Sequence, residues 1–157
     1  MKRIFGILLI TLFSVSCDSN PFKEESIDGF SLDAFVDFSI VNSKNEDLLN
    51  PNNPDSYDRS KIKILFLLDG KLVPQYKGNL DYPNFFTIYQ NSDRYVIRVF
   101  LNYDEGEKFP ETYIQWNENE KDIVKVEYSR TKNSISKKNV WFNDQAITSP
   151  TYFTITK

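Results

Sequence analysis

The sequence predicts an all-β protein, an Ig-like antiparallel β-sandwich of about seven to nine strands, with a jelly-roll or small barrel as the alternative. Three observations point there. Phe (13) and Tyr (9) are abundant while Met occurs once, a composition that favours pleated, half-buried surfaces over helices. Apolar residues recur with a period of two in short runs, and after residue 17 no run sustains a period of 3.6. Turn-forming clusters separate these runs every eight to twelve residues or so.

Residues 34–41 (AFVDFSIV) form the first expected strand. Ala34, Val36, Phe38 and Ile40 share one face, and Asp37 and Ser39 fall on the other. Residues 42–60 are crowded with Asn, Asp and Ser and carry Pro51 and Pro54. They read as a long irregular connection in which Leu48 and Leu49 are the aliphatic anchors. Asn50, Asn52, Asp55 and Asp58 supply the oxygen ligands a hard cation wants. Their spacing fits no EF-hand loop and the closing glutamate is absent, so solvated turns are expected. Residues 61–75 (KIKILFLLDGKLVPQ) predict a hairpin turning at Asp69-Gly70, since a type I′ turn needs positive φ at both central positions. Ile62, Ile64, Phe66 and Leu68 alternate inward, and Pro74 marks the return strand as an edge.

A loop over 76–84 leads to a strand over 85–90, a turn at 91–93 and a long strand over 94–103. A charged turn over 104–110 precedes strands over 111–116 and 123–130. Residues 131–139 read as a basic, polar loop. Residues 140–142 and 146–148 suggest a short hairpin about Asn143-Asp144, and 151–156 a closing strand.

The single cysteine, Cys17, excludes intrachain disulfides, so packing alone must hold the fold. The absence of His removes the commonest general base and metal ligand, and with it Ser-His-Asp, Cys-His and histidine-zinc chemistry. No glycine spacing matches a phosphate loop. The carboxylates Asp104, Glu105, Glu107, Glu111, Glu118 and Glu120 are compatible with a glycosidase pair, but they lie in or beside hydrophilic turns. No catalytic residue, no metal site and no cofactor is predicted.

Residues 1–17 (MKRIFGILLITLFSVSC) begin with Lys2 and Arg3. An apolar run follows that is shorter than the roughly 20 residues a membrane span needs. That is the pattern of an export signal. Ser14-Val15-Ser16-Cys17 resembles the lipobox of bacterial lipoproteins, in which the cysteine is acylated and the peptide before it removed. The resemblance implies a signal over 1–16, an acylated Cys17 with a tether over 17–30, and one β-sandwich domain over 31–157. Loss of Lys2 and Arg3 with that signal takes the formal net charge from −3 to −5, which argues against nucleic acid as a partner. The segments YVIRVFLNYDEGEKFPETYIQWNENEKDIVKVEY (95–128) and NVWFND (139–144) resemble a family of uncharacterised lipoproteins of gut Bacteroidetes. That resemblance implies export, acylation and a β-rich domain at the outer membrane or cell surface of a Gram-negative bacterium, and it brings no catalytic residues. The expected partners are the lipid bilayer, through acyl chains such as palmitate on Cys17, and a protein or a glycan. For a glycan, Tyr82, Trp116 and Trp141 are the candidate stacking residues, although Trp116 shares the inward face of Ile114. The expected function is a membrane-anchored, non-catalytic interaction domain, with a carbohydrate-binding lipoprotein as the alternative.

Overall fold

The computed structural model describes residues 29–149 and 152–157. Cys17, the signal over 1–16 and all of the tether but Gly29 and Phe30 lie outside these residues. Two sheets face each other across one core, and the described residues hold no α-helix. None of them forms a helix long and apolar enough to cross a membrane.

The larger sheet contains β1 (Ser31–Asp33), β3 (Lys63–Leu68), β4 (Lys71–Pro74), β7 (Glu111–Gln115), β8 (Lys121–Thr131), β9 (Ser134–Phe142) and β10 (Gln145–Ala146). Its order is β1-β9-β8-β7-β3-β4, with β10 also on β9. The smaller sheet contains β2 (Phe35–Val41), β5 (Phe86–Asn91), β6 (Arg94–Phe100) and β11 (Tyr152–Thr156), in the order β11-β2-β6-β5. The sheets do not close, which sets aside the barrel alternative. The sandwich has eleven strands among the described residues, more than expected; β1 is the one with no counterpart in the sequence pattern, being too short to show a period. Two outer pairings, β1 on β9 and β11 on β2, are parallel; the other pairings between named strands are antiparallel.

The turns obey local chemistry. Asp69 (φ 49°) and Gly70 (φ 72°) close the β3–β4 hairpin, and Asn143 (φ 47°) and Asp144 (φ 64°) close β9–β10. Pro74 ends β4 at the sheet edge, where its missing N–H breaks no ladder. Leu48 and Leu49 are buried, and the backbone of Leu48 bonds to Ile40 and Tyr57, so the long connection is pinned to the end of β2. Within it, Asn50 accepts from the Asn52 N–H and Asp58 from the Ser60 N–H and hydroxyl, so two of the candidate cation ligands serve as turn caps.

Residues 131–139 are not a loop. Thr131 and Ser134 pair across a two-residue turn, and β8 and β9 form the longest hairpin of the fold. A bulge puts Glu127 opposite Asn139 and Tyr128 opposite Lys137, skipping Lys138. The skip turns Lys137 off the solvent face. Its ammonium pairs with Asp33 and lies 4.7 Å from the centre of the Phe35 ring.

The second face of β2 is also covered. Asp37 and Ser39, expected on an open face, are both buried. Asp37 takes a two-pronged contact from Arg98 (2.8 and 2.7 Å) and a hydrogen bond from the Tyr89 hydroxyl (2.9 Å). Such pairing is what makes a buried carboxylate tolerable. It holds the Arg98 guanidinium well above its ordinary pKa, while burial, more than the Asp37 carboxylate, raises the Tyr89 phenol. Phe38, Ile64, Ile97, Ile114, Trp116 and Val126 lead the core, whose residues all lie between Val36 and Ile155. Among the described residues, the core thus spans most of the chain from β2 to β11.

Candidate functional site

An open, mostly apolar concavity lies beside the start of β2. The connection from β4 to β5 folds back on itself: Lys77 N–H donates to Pro83 C=O (2.9 Å), Leu80 to Lys77 (3.2 Å) and Phe85 to Tyr82 (3.0 Å). Phe85 sits at φ 61°, a left-handed conformation that costs a bulky residue of order 1–3 kcal/mol. The surroundings hold it there. Its C=O accepts from Phe100 N–H (3.0 Å), and its ring meets Phe66 edge-on at 5.5 Å.

This arrangement presents Leu80 and Tyr82 over the ends of β2 and β6. Together with Leu32, Phe100 and Tyr103 they line a cavity of about 280 Å³. Leu80, Tyr82 and Tyr103 are each 45% exposed, and Leu32 nearly as much. The Tyr82 ring stacks on Phe100 (5.5 Å, 23° between planes), so one face is fixed by packing. The cavity is mostly apolar; Asp81 is the charged residue on its wall.

Phe85 and Tyr103 also border a second, more polar concavity of about 460 Å³, with Gln75, Lys77, Asp104 and Glu105. Asn102 on its wall is buried but satisfied. Its N–H donates to the Thr112 hydroxyl (2.8 Å), its side-chain oxygen accepts from Asp104 N–H (3.1 Å), and its C=O accepts from the Tyr128 hydroxyl (3.1 Å). Burial raises the Tyr128 phenol, with Arg130 opposing.

The three stacking residues expected from the sequence are not brought together. Tyr82 lies in the cleft. Trp116 is 1% exposed and corrects the expectation: its indole N–H donates to Asp122 (2.6 Å) and its ring packs in the core, leaving no face for a sugar. Trp141 is half-buried on β9, edge-on to Phe109 at 5.9 Å, beside a separate concavity with Lys138 and Ile147. The sequence reading missed Leu32, Leu80, Phe100 and Tyr103; the available signal was Leu80, an aliphatic residue inside a polar loop.

The acidic residues are spread over separate turns. Glu111 accepts from the Tyr113 hydroxyl (3.0 Å) and lies near Lys125, Asp104 caps the Gly106 N–H (3.0 Å), and Glu120 binds the Tyr57 hydroxyl (2.8 Å). Among the described residues no three of His, Cys, Asp and Glu gather to hold a metal ion. No protein-family model matches the chain, and comparisons with curated proteins and with solved structures find no relative.

Proposed function

We propose that the protein is a membrane-anchored lipoprotein whose β-sandwich is a non-catalytic interaction domain. It is held at the outer membrane or cell surface by acyl chains on Cys17. The observation that carries the interaction part is the cleft of Leu32, Leu80, Tyr82, Phe100 and Tyr103, a contiguous apolar and aromatic surface left open to solvent. Such patches on otherwise polar proteins mark contact sites, and Tyr is well suited because it offers area at low entropic cost. The anchor rests on the lipobox resemblance and on partitioning, since each buried methylene contributes about 0.8 kcal/mol and two chains hold stably.

Cell fractionation tests the anchor. Cys17→Ala shifts the protein from the membrane to the soluble fraction; retention in the membrane would refute it. The cleft is tested with Leu80→Asp and Tyr82→Ala in residues 18–157. Both lose capture of the native partner while the thermal midpoint stays within about 3 °C. A second reading, glycan binding, is favoured by Tyr82 and Tyr103 sharing one cleft with Asp81. Glycan-array binding by residues 18–157 that vanishes in Tyr82→Ala would select it.

A further inference from the structure

At the far end of β2 the chain holds its own last lysine in a cage. The Lys157 ammonium lies 2.5 Å from Glu120 Oε1 and 2.5 Å from Asp122 Oδ2. It also stands 5.6 Å from the Trp116 ring centre and 6.0 Å from that of Tyr57, two rings stacked at 4.8 Å. The cage is built without Lys157. Asp122 is fixed by the Trp116 indole N–H and by Asn143 (2.8 Å), and Glu120 by the Tyr57 hydroxyl. Two carboxylates held side by side at a partly buried site demand a cation, and flanking aromatic faces favour an ammonium.

The strand that delivers this lysine is peripheral. Among the described residues β11 is the outermost strand of its sheet and pairs only with β2. Phe153 and Ile155 lie against the core without being fully buried, Phe153 stacking on Phe38 at 5.1 Å. On the other face the Tyr152 and Thr154 hydroxyls meet Ser39 Oγ at 3.1 and 3.0 Å. The Lys157 N–H closes the ladder on Val41 C=O at 2.8 Å. The groove therefore asks for an extended strand parallel to β2, with an aromatic residue, an aliphatic residue two places on, and a lysine two places further. Phe-x-Ile-x-Lys occurs once in the chain, at 153–157. Between Ala146 and Tyr152 the chain passes from the larger sheet to the smaller, so β11 owes its place to that groove and not to a hairpin neighbour.

We propose that the edge of β2 that β11 covers and the Tyr57–Trp116–Glu120–Asp122 cage form a strand-binding site for β11 and Lys157 of a second copy, so that copies link by exchanging this strand. The exchanged contacts are identical to those within one copy, so the exchange costs little in contact energy. Local release of a peripheral strand is its first step.

The test uses residues 18–157, which lack Cys17 and contain every core residue found among the described residues. One preparation carries Ser39→Cys and a second carries Thr154→Cys, positions that are direct partners in the β2–β11 ladder. Mixed under mild oxidation, they accumulate a mixed disulfide dimer on non-reducing gels. Adding Lys157→Met to the Thr154→Cys copy loosens the cage and makes the dimer form about tenfold faster. The control with both cysteines in one chain closes an internal bridge. Cross-linking confined to that control would overturn the proposal. So would failure of the control to bridge, since β11 would then not lie on β2, and so would equal cross-linking of Thr154→Cys to an exposed Ser92→Cys, the mark of chance collision.

Discussion

The two ends of β2 solve opposite problems with the same kinds of residue. At its start, Tyr82 stacks on Phe100 with Tyr103 lining the same cleft, all left partly in water, with Asp81 as the charged residue on the rim. At its end, Tyr57 and Trp116 stack just as closely, yet every polar group between them is matched: phenol to Glu120, indole to Asp122, and both acids to Lys157. Aromatic content does not separate the two. What separates them is whether a charge partner arrives from a distant part of the chain, and one does only at the closed end.

The sharpest way to break this contrast is Trp116→Ala. It empties a fully buried site and takes the indole N–H from Asp122, and a loss of about 3–5 kcal/mol is expected from urea unfolding of residues 18–157. Lys157→Met leaves two neighbouring carboxylates without their cation. Because the lysine side chain keeps some exposure, the expected loss is nearer about 1–2 kcal/mol, read from the same curves. A third measurement uses pH. Burial first, and then Glu120, push the Tyr57 phenol up, so the fold holds its neutral form. The unfolded chain ionises near pH 10. Stability is therefore intact below about pH 10 and falls above it as the unfolded state releases a proton the folded state keeps. Tyr57→Phe flattens that decline by up to about 1 kcal/mol per pH unit; an unchanged slope would remove Tyr57 from the closed end. The smallest effect belongs to the open end. Tyr82→Ala changes stability by about 0.5 kcal/mol or less, and a change comparable to that of Trp116→Ala would mean the cleft is structural.

Much of the frame could be read in the chain because its signals are local. Asp69-Gly70 and Asn143-Asp144 each place positive φ where a hairpin needs it, and the alternation of Ile62, Ile64 and Phe66 points at the core without help from distant residues. The errors fall where a distant partner decides. Asp37 looked solvent-facing because Arg98 and Tyr89 lie 61 and 52 residues away. Residues 131–139 looked like a loop because the bulge at Lys138 breaks the period of two that marks a strand. Trp116 was rightly placed on the inward face of Ile114 and still counted among the stacking candidates, since nothing nearby shows that Tyr57 and Lys157 close over it. The cleft was only half legible: Tyr82 stood out in its loop, but its floor of Leu32 and Phe100 exists only once β1 and β6 converge.

The two parallel pairings carry a consequence in time. Ser31 reaches its partner only at Ser134, and Asp37 only at Tyr152. Contacts spanning more than a hundred residues form late and slowly, because the loop they close must be ordered first. During synthesis β2 is made more than a hundred residues before β11, so one of its edges stays open until Tyr152–Thr156 appear. For that interval the nascent sandwich is a template awaiting a strand, and whichever copy of β11 arrives first completes it.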